Sequence, residues 1–303
     1  MIRIQWHELQ NAGRKLIFFT LFAWFNYLWS LIPMVNELPK DNPPKVVLFF
    51  DDGYASVYHY AYPLLKKYKM SASLGLITGK VIEANRRPVR SSFNSYLNQA
   101  EIQEMIDSLG VEVASHSFSH HRLTEISDTM VLRYELFHSK QVLESLFNQT
   151  VITFVYPYGR YDDQILRLTR LAGYKIGRTC EFGEPNFWIA PLKVPIKEVR
   201  NTTTVDEILK HIQRFEVTVL VFHRIMPKPR LFTEFSVERF DTLLNLLFTQ
   251  KVKVVTLRQV YEDFWLELFV KAVREKGILD KREWLDYLFQ KVDIDQTRTP
   301  TRF

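Results

Sequence analysis

VVLFFDDG, residues 46 to 53, joins a wholly apolar run to two adjacent carboxylates and a glycine. The apolar run predicts a buried strand, and Asp51 and Asp52 come directly after its end. Adjacent residues at a strand end point in different directions, so one carboxylate can bind a metal ion while the other faces a substrate. Gly53 permits the sharp turn that the chain needs at this point.

Short apolar segments alternate with longer amphipathic segments along the rest of the chain. Such alternation predicts parallel βα units, which fit either an open doubly wound sheet or a closed barrel. The predicted strands are residues 46–50, 71–77, 111–115, 152–155, 175–178, 217–221 and 253–256. The predicted helices are residues 60–69, 99–108, 128–147, 162–172, 205–215 and 236–250.

The positions of the polar residues favour the barrel. Asp51 and Asp52 follow the first predicted strand, His116 the third, Tyr158 the fourth and His223 the sixth. Parallel α/β barrels assemble their active sites at the carboxyl ends of the strands. We therefore expect these side chains to meet at one mouth of a barrel.

The segment HSFSH, residues 116–120, places two imidazoles at an i, i+4 spacing. On a helical turn both rings would lie on one side, which is a common geometry for metal ligands. His121 would be offset by about 100° on the same helix, so we interpret it as a neighbour and not as a ligand. Two imidazoles with one carboxylate suit a divalent metal ion, and a second carboxylate suits a general base, so the pattern predicts a hydrolase.

Two more segments could contribute to the chemistry. Tyr158 lies in YPYG, residues 156–159, which fits either a tight turn with aromatic packing or a backbone donor for an oxyanion. His223 follows the apolar run of residues 217–222 and fits either a core histidine or a general acid beside a metal site.

The ordered set FFDDG, HSFSH, YPYG and LVFH resembles the NodB-type polysaccharide deacetylases, carbohydrate esterase family 4, over roughly residues 45–261. The resemblance implies a distorted (β/α)7 barrel that hydrolyses the N-acetyl groups on sugar residues of a polysaccharide and releases acetate. The implied partner is an N-acetylated glycan. The implied cofactor is a divalent metal ion, with Zn²⁺ ahead of Co²⁺, Ni²⁺ or Mn²⁺.

The same resemblance implies a role for each site residue. It makes Asp51 the catalytic base, His223 the acid and Tyr158 the oxyanion and substrate residue. The implied metal ligands are Asp52, His116 and His120.

Two features depart from the family pattern. Many members have an arginine two residues before the proline of the third motif, where it pairs with the base carboxylate, and here that residue is Val155. The Asp-Trp-bearing fourth motif is not recognisable between residues 180 and 199. Arg160 or Lys193 could supply the missing charge. Two alternatives therefore stay open: a related metal-dependent hydrolase of another linear or cyclic amide, and a degenerate glycan-binding module.

Composition excludes several other classes of protein. The 303 residues are 47% hydrophobic, with 23 Phe and 14 Tyr, so the chain can bury a substantial core. The net charge of +6 is scattered and no nucleic-acid motif accompanies it, so nucleic acid is not an expected partner. The single cysteine, Cys180, excludes an internal disulfide and a multi-cysteine zinc site.

Residues 16–34, LIFFTLFAWFNYLWSLIPM, contain no charged residue and are long enough to span a bilayer. Arg14 and Lys15 precede them, which favours an N-terminus inside and the remaining chain outside. We expect an uncleaved membrane anchor. The alternatives are a helix that packs on the domain or lies on a membrane surface, in a cytoplasmic or peripheral protein, and a cleaved signal.

The predicted domain organisation has four parts. They are a hydrophobic helix or anchor at residues 1–36, a proline-rich linker at 37–45, a catalytic domain at 46–261, and a helical extension with a polar tail at 262–303.

Overall fold

In the computed structural model, the strands of the main sheet all pair in parallel. A second, two-stranded parallel sheet, β8 with β9, lies directly after the strand that ends at Phe222. The strands are β1 Lys45–Phe50, β2 Ser73–Leu76, β3 Glu112–Ser115, β4 Thr153–Val155, β5 Ile176–Arg178, β6 Lys197–Glu198, β7 Val217–Phe222, β8 Arg224–Met226, β9 Glu234–Ser236 and β10 Lys253–Val255.

The structure describes residues 44–86, 92–187 and 189–276, with side chains up to residue 268. Pro43–Tyr261 form one compact unit, and the second unit, Met1–Asn42 with Glu262–Phe303, is described only at residues 262–276. Across the described ranges, no helix has both the length and the apolar character that a membrane crossing requires. The predicted anchor at residues 16–34 lies outside these ranges, so it stays a prediction.

Helices connect most of the strands. Two π-helical turns, Val57–Ala61 and Tyr134–His138, lie directly before the helices that begin at Tyr62 and Ser139. The helices are α1 Tyr62–Tyr68, α2 Thr78–Asn85, α3 Gln99–Leu109, α4 Thr129–Arg133, α5 Ser139–Phe147, α6 Asp163–Leu171, α7 Val205–Arg214, α8 Val237–Thr249 and α9 Leu257–Lys276. Sequence patterns predicted all of these except α2, and α9 covers the start of the predicted extension.

The order of the strands is β5-β4-β3-β2-β1-β7-β6, and the sheet curls with its helices outside. Residues 194–198 join its two edges, because Val194 forms a parallel bridge to Arg178 on β5 while Lys197 pairs with Leu220 on β7. This arrangement confirms the expected distorted (β/α)7 barrel. The seventh strand around the barrel is β6, which the sequence analysis did not detect.

The strand predicted at residues 253–256 exists as β10, but it does not close the barrel. It pairs with the first half of β1, at Lys45–Val47, whereas β2 pairs with Phe49 and Phe50 in the second half. All six residues of β1 are buried, and both edges of the strand are paired, one by β7 along its whole length and the other by β10 and β2. Burial on both faces explains why this strand has no alternating polar residues.

A buried carboxylate lies at the amino end of the barrel, away from the strand ends that carry the polar motifs. Glu112 begins β3 and accepts hydrogen bonds from the hydroxyls of Ser73, at the start of β2, and Thr153, at the start of β4 (2.7 and 2.6 Å). It also accepts the Arg258 N–H in the first turn of α9 (2.9 Å). A carboxylate at a helix N-terminus is stabilised by the helix dipole, so Glu112 attaches the first turn of α9 to this end of the barrel.

Candidate metal and catalytic site

Asp52, His116 and His120 converge beyond the carboxyl ends of β1 and β3. Both imidazole Nε2 atoms lie 3.5 Å from Asp52 Oδ1, and the two Nε2 atoms are 3.1 Å apart. Asp52 turns its carboxylate toward the histidines because the chain leaves β1 with left-handed backbone at Asp52 and Gly53 (φ 69° and 73°). The three residues that the family resemblance implied as metal ligands are therefore brought together.

The segment between the two histidines is a loop, and the helical turn predicted for it is wrong. Ser117 and His120 both have left-handed backbone (φ 63° and 64°), which interrupts any helix. The loop, and not a helical i, i+4 spacing, brings His120 to His116. His121 lies outside the cluster, as expected, with an exposed ring whose Nδ1 is 2.6 Å from Ser119 Oγ.

The first histidine is held in the form that can bind a metal ion. His116 Nδ1 lies 2.9 Å from the Val155 carbonyl oxygen, so Nδ1 carries the hydrogen and Nε2 keeps its lone pair toward Asp52. Burial lowers the pKa of His116 to about 4, so the imidazole is neutral at physiological pH. Burial also lowers the pKa of His120. Two neutral imidazoles and one carboxylate form a donor set that fits a divalent ion.

The second carboxylate is buried and paired with an arginine. Asp51 is 4% exposed and forms an ion pair with Arg178. Burial alone would raise the pKa of Asp51, but the Arg178 guanidinium holds this pKa below its usual value. Asp51 Oδ1 has no hydrogen-bond partner among the described residues, so one oxygen of an ionised carboxylate is available to accept a proton.

Sequence reasoning missed Arg178. The arginine ends β5, its register partner on β4 is Val155, and its guanidinium lies 5.3 Å from the centre of the Phe49 ring. The two substitutes suggested from the sequence, Arg160 and Lys193, are exposed and do not contact Asp51; the Lys193 ammonium lies over the Tyr161 ring. A signal was present, since Arg178 is a charged residue at the end of a short apolar strand.

Tyr158 lies beside the ligand cluster with left-handed backbone (φ 58°). The residue is 53% exposed, and its ring packs between the His120 imidazole, 4.8 Å away, and the Arg122 guanidinium, 4.9 Å away. Its N–H donates to no acceptor among the described residues. The geometry is compatible with both expected roles of Tyr158. The ring forms a wall of the mouth, and the backbone N–H is free to bind a substrate oxygen.

His223 lies at the end of β7, on the other side of Asp51. Its Nε2 is 4.0 Å from Asp51 Oδ2. Its Nδ1 is buried and finds no hydrogen-bond partner among the described residues. The ring is thus near the cluster, as the sequence predicted, but no carboxylate in the described part of the chain accepts a hydrogen bond from its Nδ1.

Comparison with known proteins identifies a family with the same sequence motifs. Residues 39–177 match the family model for polysaccharide deacetylase, a range that ends one residue before Arg178. The YxkH protein of Bacillus subtilis (strain 168) is 31% identical over 150 residues, which are 50% of this chain and 50% of YxkH. The poly-beta-1,6-N-acetyl-D-glucosamine N-deacetylase of Staphylococcus aureus (strain MRSA252) is 30% identical over 153 residues, 48% of this chain and 50% of that relative.

The chain therefore spans about half the length of the curated relatives it matches. Among solved structures, the Xyl-CE4 domain of a multidomain xylanase from the hindgut metagenome of Trinervitermes trinervoides superposes with a TM-score of 0.53. That match has 17% sequence identity and covers 73% of this chain and 91% of the domain, so it shows a shared fold.

Proposed function

Because residues 39–177 match the family model for polysaccharide deacetylase, we propose that this chain is a metal-dependent hydrolase that removes N-acetyl groups from the sugar residues of a glycan. One observation carries the proposal: three metal-binding side chains and a buried, arginine-paired carboxylate meet at the mouth of a parallel barrel. Parallel barrels place their catalytic groups at this end.

Asp52, His116 and His120 would hold the metal ion. We propose Zn²⁺ as this ion, since Zn²⁺ accepts mixed nitrogen and oxygen ligands and catalytic zinc sites use three protein ligands with an open position. When bound, a divalent ion polarises a carbonyl and lowers the pKa of water.

Asp51 would be the general base. The Arg178 guanidinium keeps the Asp51 carboxylate ionised, and the unpartnered Oδ1 can accept a proton from the water that attacks the acetamide carbon. Asp51 does not need to bind the metal ion for this role. The arginine also fixes the carboxylate in one orientation, because an ion pair from a buried guanidinium has little freedom.

The remaining two groups would act on the substrate. The Tyr158 N–H can donate a hydrogen bond to the acetamide oxygen as negative charge develops there. Protonated His223 can give its proton to the departing nitrogen as the carbon–nitrogen bond breaks. The products of the hydrolysis are acetate and a free amine on the sugar.

Arg178 supports an enzyme over a degenerate glycan-binding module. The absence of an arginine at position 155 is the one sequence feature that favours the module. The guanidinium of Arg178 supplies the same charge to Asp51 from the neighbouring strand. A module that only binds a glycan would have no use for a carboxylate that is buried, charged and free to accept a proton.

The test is acetate release by the full chain reconstituted with Zn²⁺. Because a relative is named a poly-beta-1,6-N-acetyl-D-glucosamine N-deacetylase, that polymer is the first substrate to assay, beside acetylated xylan and a linear and a cyclic small amide. Release of acetate from an N-acetylated glycan supports the proposal. Hydrolysis of the small amides alone would contradict it and favour the related amide hydrolase.

We further propose that residues 16–34 anchor the protein in a membrane with the barrel outside. The support is the uncharged run itself, with Arg14 and Lys15 before it. A deacetylase of extracellular glycans would meet its substrate on that side.

A further inference from the structure

The loop of residues 117–120 carries the second imidazole of the site in an unfavourable backbone conformation. Ser117 and His120 both have φ near +63°, a region that residues with a Cβ atom seldom adopt. Such a loop keeps one geometry only where neighbouring groups hold its backbone. The position of the His120 ring therefore depends on what holds the loop.

One side of the loop is held by the start of α2. The Thr78 N–H donates to the Ser117 carbonyl (3.1 Å), and the Gly79 N–H donates to the Phe118 carbonyl (2.8 Å). A Cβ atom at position 79 would lie 2.9 Å from the Phe118 oxygen, so only glycine allows the helix to come this close. These bonds use the carbonyl groups of the loop and leave its N–H groups to other partners.

The other side of the loop is held by a single carboxylate. Glu135 Oε2 accepts the N–H of Phe118 (3.0 Å) and the N–H of Ser119 (2.9 Å), while Oε1 accepts the Ser119 hydroxyl. A third N–H, that of His120, is bound by Ser117 Oγ within the loop (2.9 Å). Glu135 is therefore the only side chain outside the loop, among those described, that binds its N–H groups.

Glu135 has an unusual environment for a charged residue. It is 3% exposed, and among the described residues no lysine or arginine lies within ion-pair distance of its carboxylate; the exposed His121 ring is 3.8 Å away, from Nδ1 to Oε1. A buried charge is costly unless it is hydrogen-bonded, and three of the donors that bind this one belong to the loop. The residue lies in the π-helical turn Tyr134–His138, and such turns are frequent at functional sites.

We propose that Glu135 is a positioning residue of the metal centre, which holds residues 117–120 so that His120 Nε2 faces Asp52 and His116. Glu135 is not one of the three converging ligand residues, and it acts on them only through the loop. Its effect on catalysis rests on the proposed function, whereas its effects on the loop and on metal affinity do not.

The barrel offers a matched control for this proposal. Glu112 is also a buried carboxylate with three hydrogen-bond donors, but it lies at the opposite end of β3 and holds α9. Glu135→Gln and Glu112→Gln remove the same charge from equally buried positions. Only the first of them should affect the metal ligands.

The first measurement is the Zn²⁺ dissociation constant of the full chain, by competition with a chromophoric chelator. Loss of an outer hydrogen-bond partner weakens metal sites by about 10- to 100-fold, so we expect Glu135→Gln to weaken Zn²⁺ binding by that factor and Glu112→Gln to leave it unchanged. Wild-type affinity in Glu135→Gln, or equal weakening in both variants, would overturn the proposal. If Glu135→Gln does not fold, Ser119→Ala removes one donor from the same carboxylate; it should weaken Zn²⁺ binding, and unchanged affinity would overturn the proposal.

The second measurement needs no metal ion and no substrate. Amide hydrogen exchange at Phe118 and Ser119 in the metal-free protein should be faster in Glu135→Gln than in wild type, and unchanged in Glu112→Gln. Equal rates in wild type and Glu135→Gln would overturn the role of Glu135 in the loop. A wild-type chain that releases no acetate would contradict the proposed function instead, and the exchange rates would still decide the role of Glu135.

Discussion

Arg178 is the register partner of Val155 across the ladder between β4 and β5, and it forms the ion pair with Asp51. The guanidinium therefore reaches the carboxylate from one strand further along the barrel than the family pattern led us to expect. Positions 155 and 178 are paired in a parallel ladder, so they lie at the same distance from the mouth of the barrel. A guanidinium at position 178 can therefore replace one at position 155.

Removal of Arg178 should cost stability as well as activity. Arg178→Met would leave the buried Asp51 carboxylate without its partner, and breaking a buried ion pair costs about 3–5 kcal/mol. Urea unfolding should show a lower midpoint with an unchanged slope. Arg160→Met, at an exposed position that does not contact Asp51, is the control and should unfold like wild type. The double exchange Val155→Arg with Arg178→Val should recover part of the lost stability. If it recovers none, a guanidinium at position 155 does not pair with Asp51 as one at position 178 does.

The two adjacent carboxylates should have separable roles. Asp51→Asn should keep a full equivalent of Zn²⁺ and lose about two to four orders of magnitude in kcat, as expected for loss of a general base. Asp52→Asn should lose most of the bound metal. Zinc content by elemental analysis and acetate release distinguish the two variants. Metal loss in Asp51→Asn with retention in Asp52→Asn would mean that the roles are exchanged.

The two adjacent histidines offer an equally direct comparison. His120→Ala removes one of three converging ligand atoms, so Zn²⁺ stoichiometry and activity should both fall. His121→Ala removes an exposed ring that is not one of the three converging ligands, so Zn²⁺ stoichiometry should stay at one equivalent, and any loss of affinity should be smaller than in His120→Ala, since the ring contacts only Ser119 Oγ and Glu135. Chelation of the wild-type chain should abolish acetate release, and added Zn²⁺ or Co²⁺ should restore it. Full metal content in His120→Ala would show that the ion lies elsewhere.

Tyr158 should contribute through its backbone and its ring in different ways. Tyr158→Ala keeps the N–H and removes a half-exposed ring at the mouth, so KM for a glycan should rise while kcat changes little. Steady-state kinetics on polymeric and monomeric substrates measure this difference. A fall in kcat with constant KM would mean that the ring, and not only the N–H, acts in the transition state.

The proposed anchor can be tested by charge. In Leu21→Lys with Phe25→Lys, each lysine costs about 2.5–3.5 kcal/mol at the centre of a spanning helix, so the variant should leave the membrane fraction that holds the wild-type chain. Leu171→Lys changes an exposed leucine of the barrel and is the control. Sedimentation after carbonate extraction gives the readout. A wild-type chain that is extracted by carbonate would favour the packed or surface helix.

Periodicity was sufficient for most of the fold. The long amphipathic segments and the apolar strands predicted nearly all of the barrel, because parallel strands buried on both faces have few polar residues. The helix α2 was missed because it follows β2 without a break. The strand β6 was missed because it has only two residues, close after Pro195, and its pairing depends on chain segments far away in sequence.

The site was predictable where side-chain type decides the chemistry. Asp52, His116 and His120 offer ligand atoms, and the ends of the strands place them together. The loop conformation was not predictable, since the groups that contact the loop, α2 and Glu135, come from segments distant in sequence. Arg178 was missed because its partner is 127 residues away, and only the strand register brings the two together.

Because residues 194–198 close the barrel, the length of the connection before them can vary without a change in the barrel strands. This connection, residues 180–193, leaves β5 at the end where Arg178 meets Asp51. A longer connection costs little, about 0.6 kcal/mol for each doubling of length, and it need not disturb the ladders of β1 to β5 or β7. Natural variation can therefore reshape the rim of the mouth at this junction while the chemical groups stay in place.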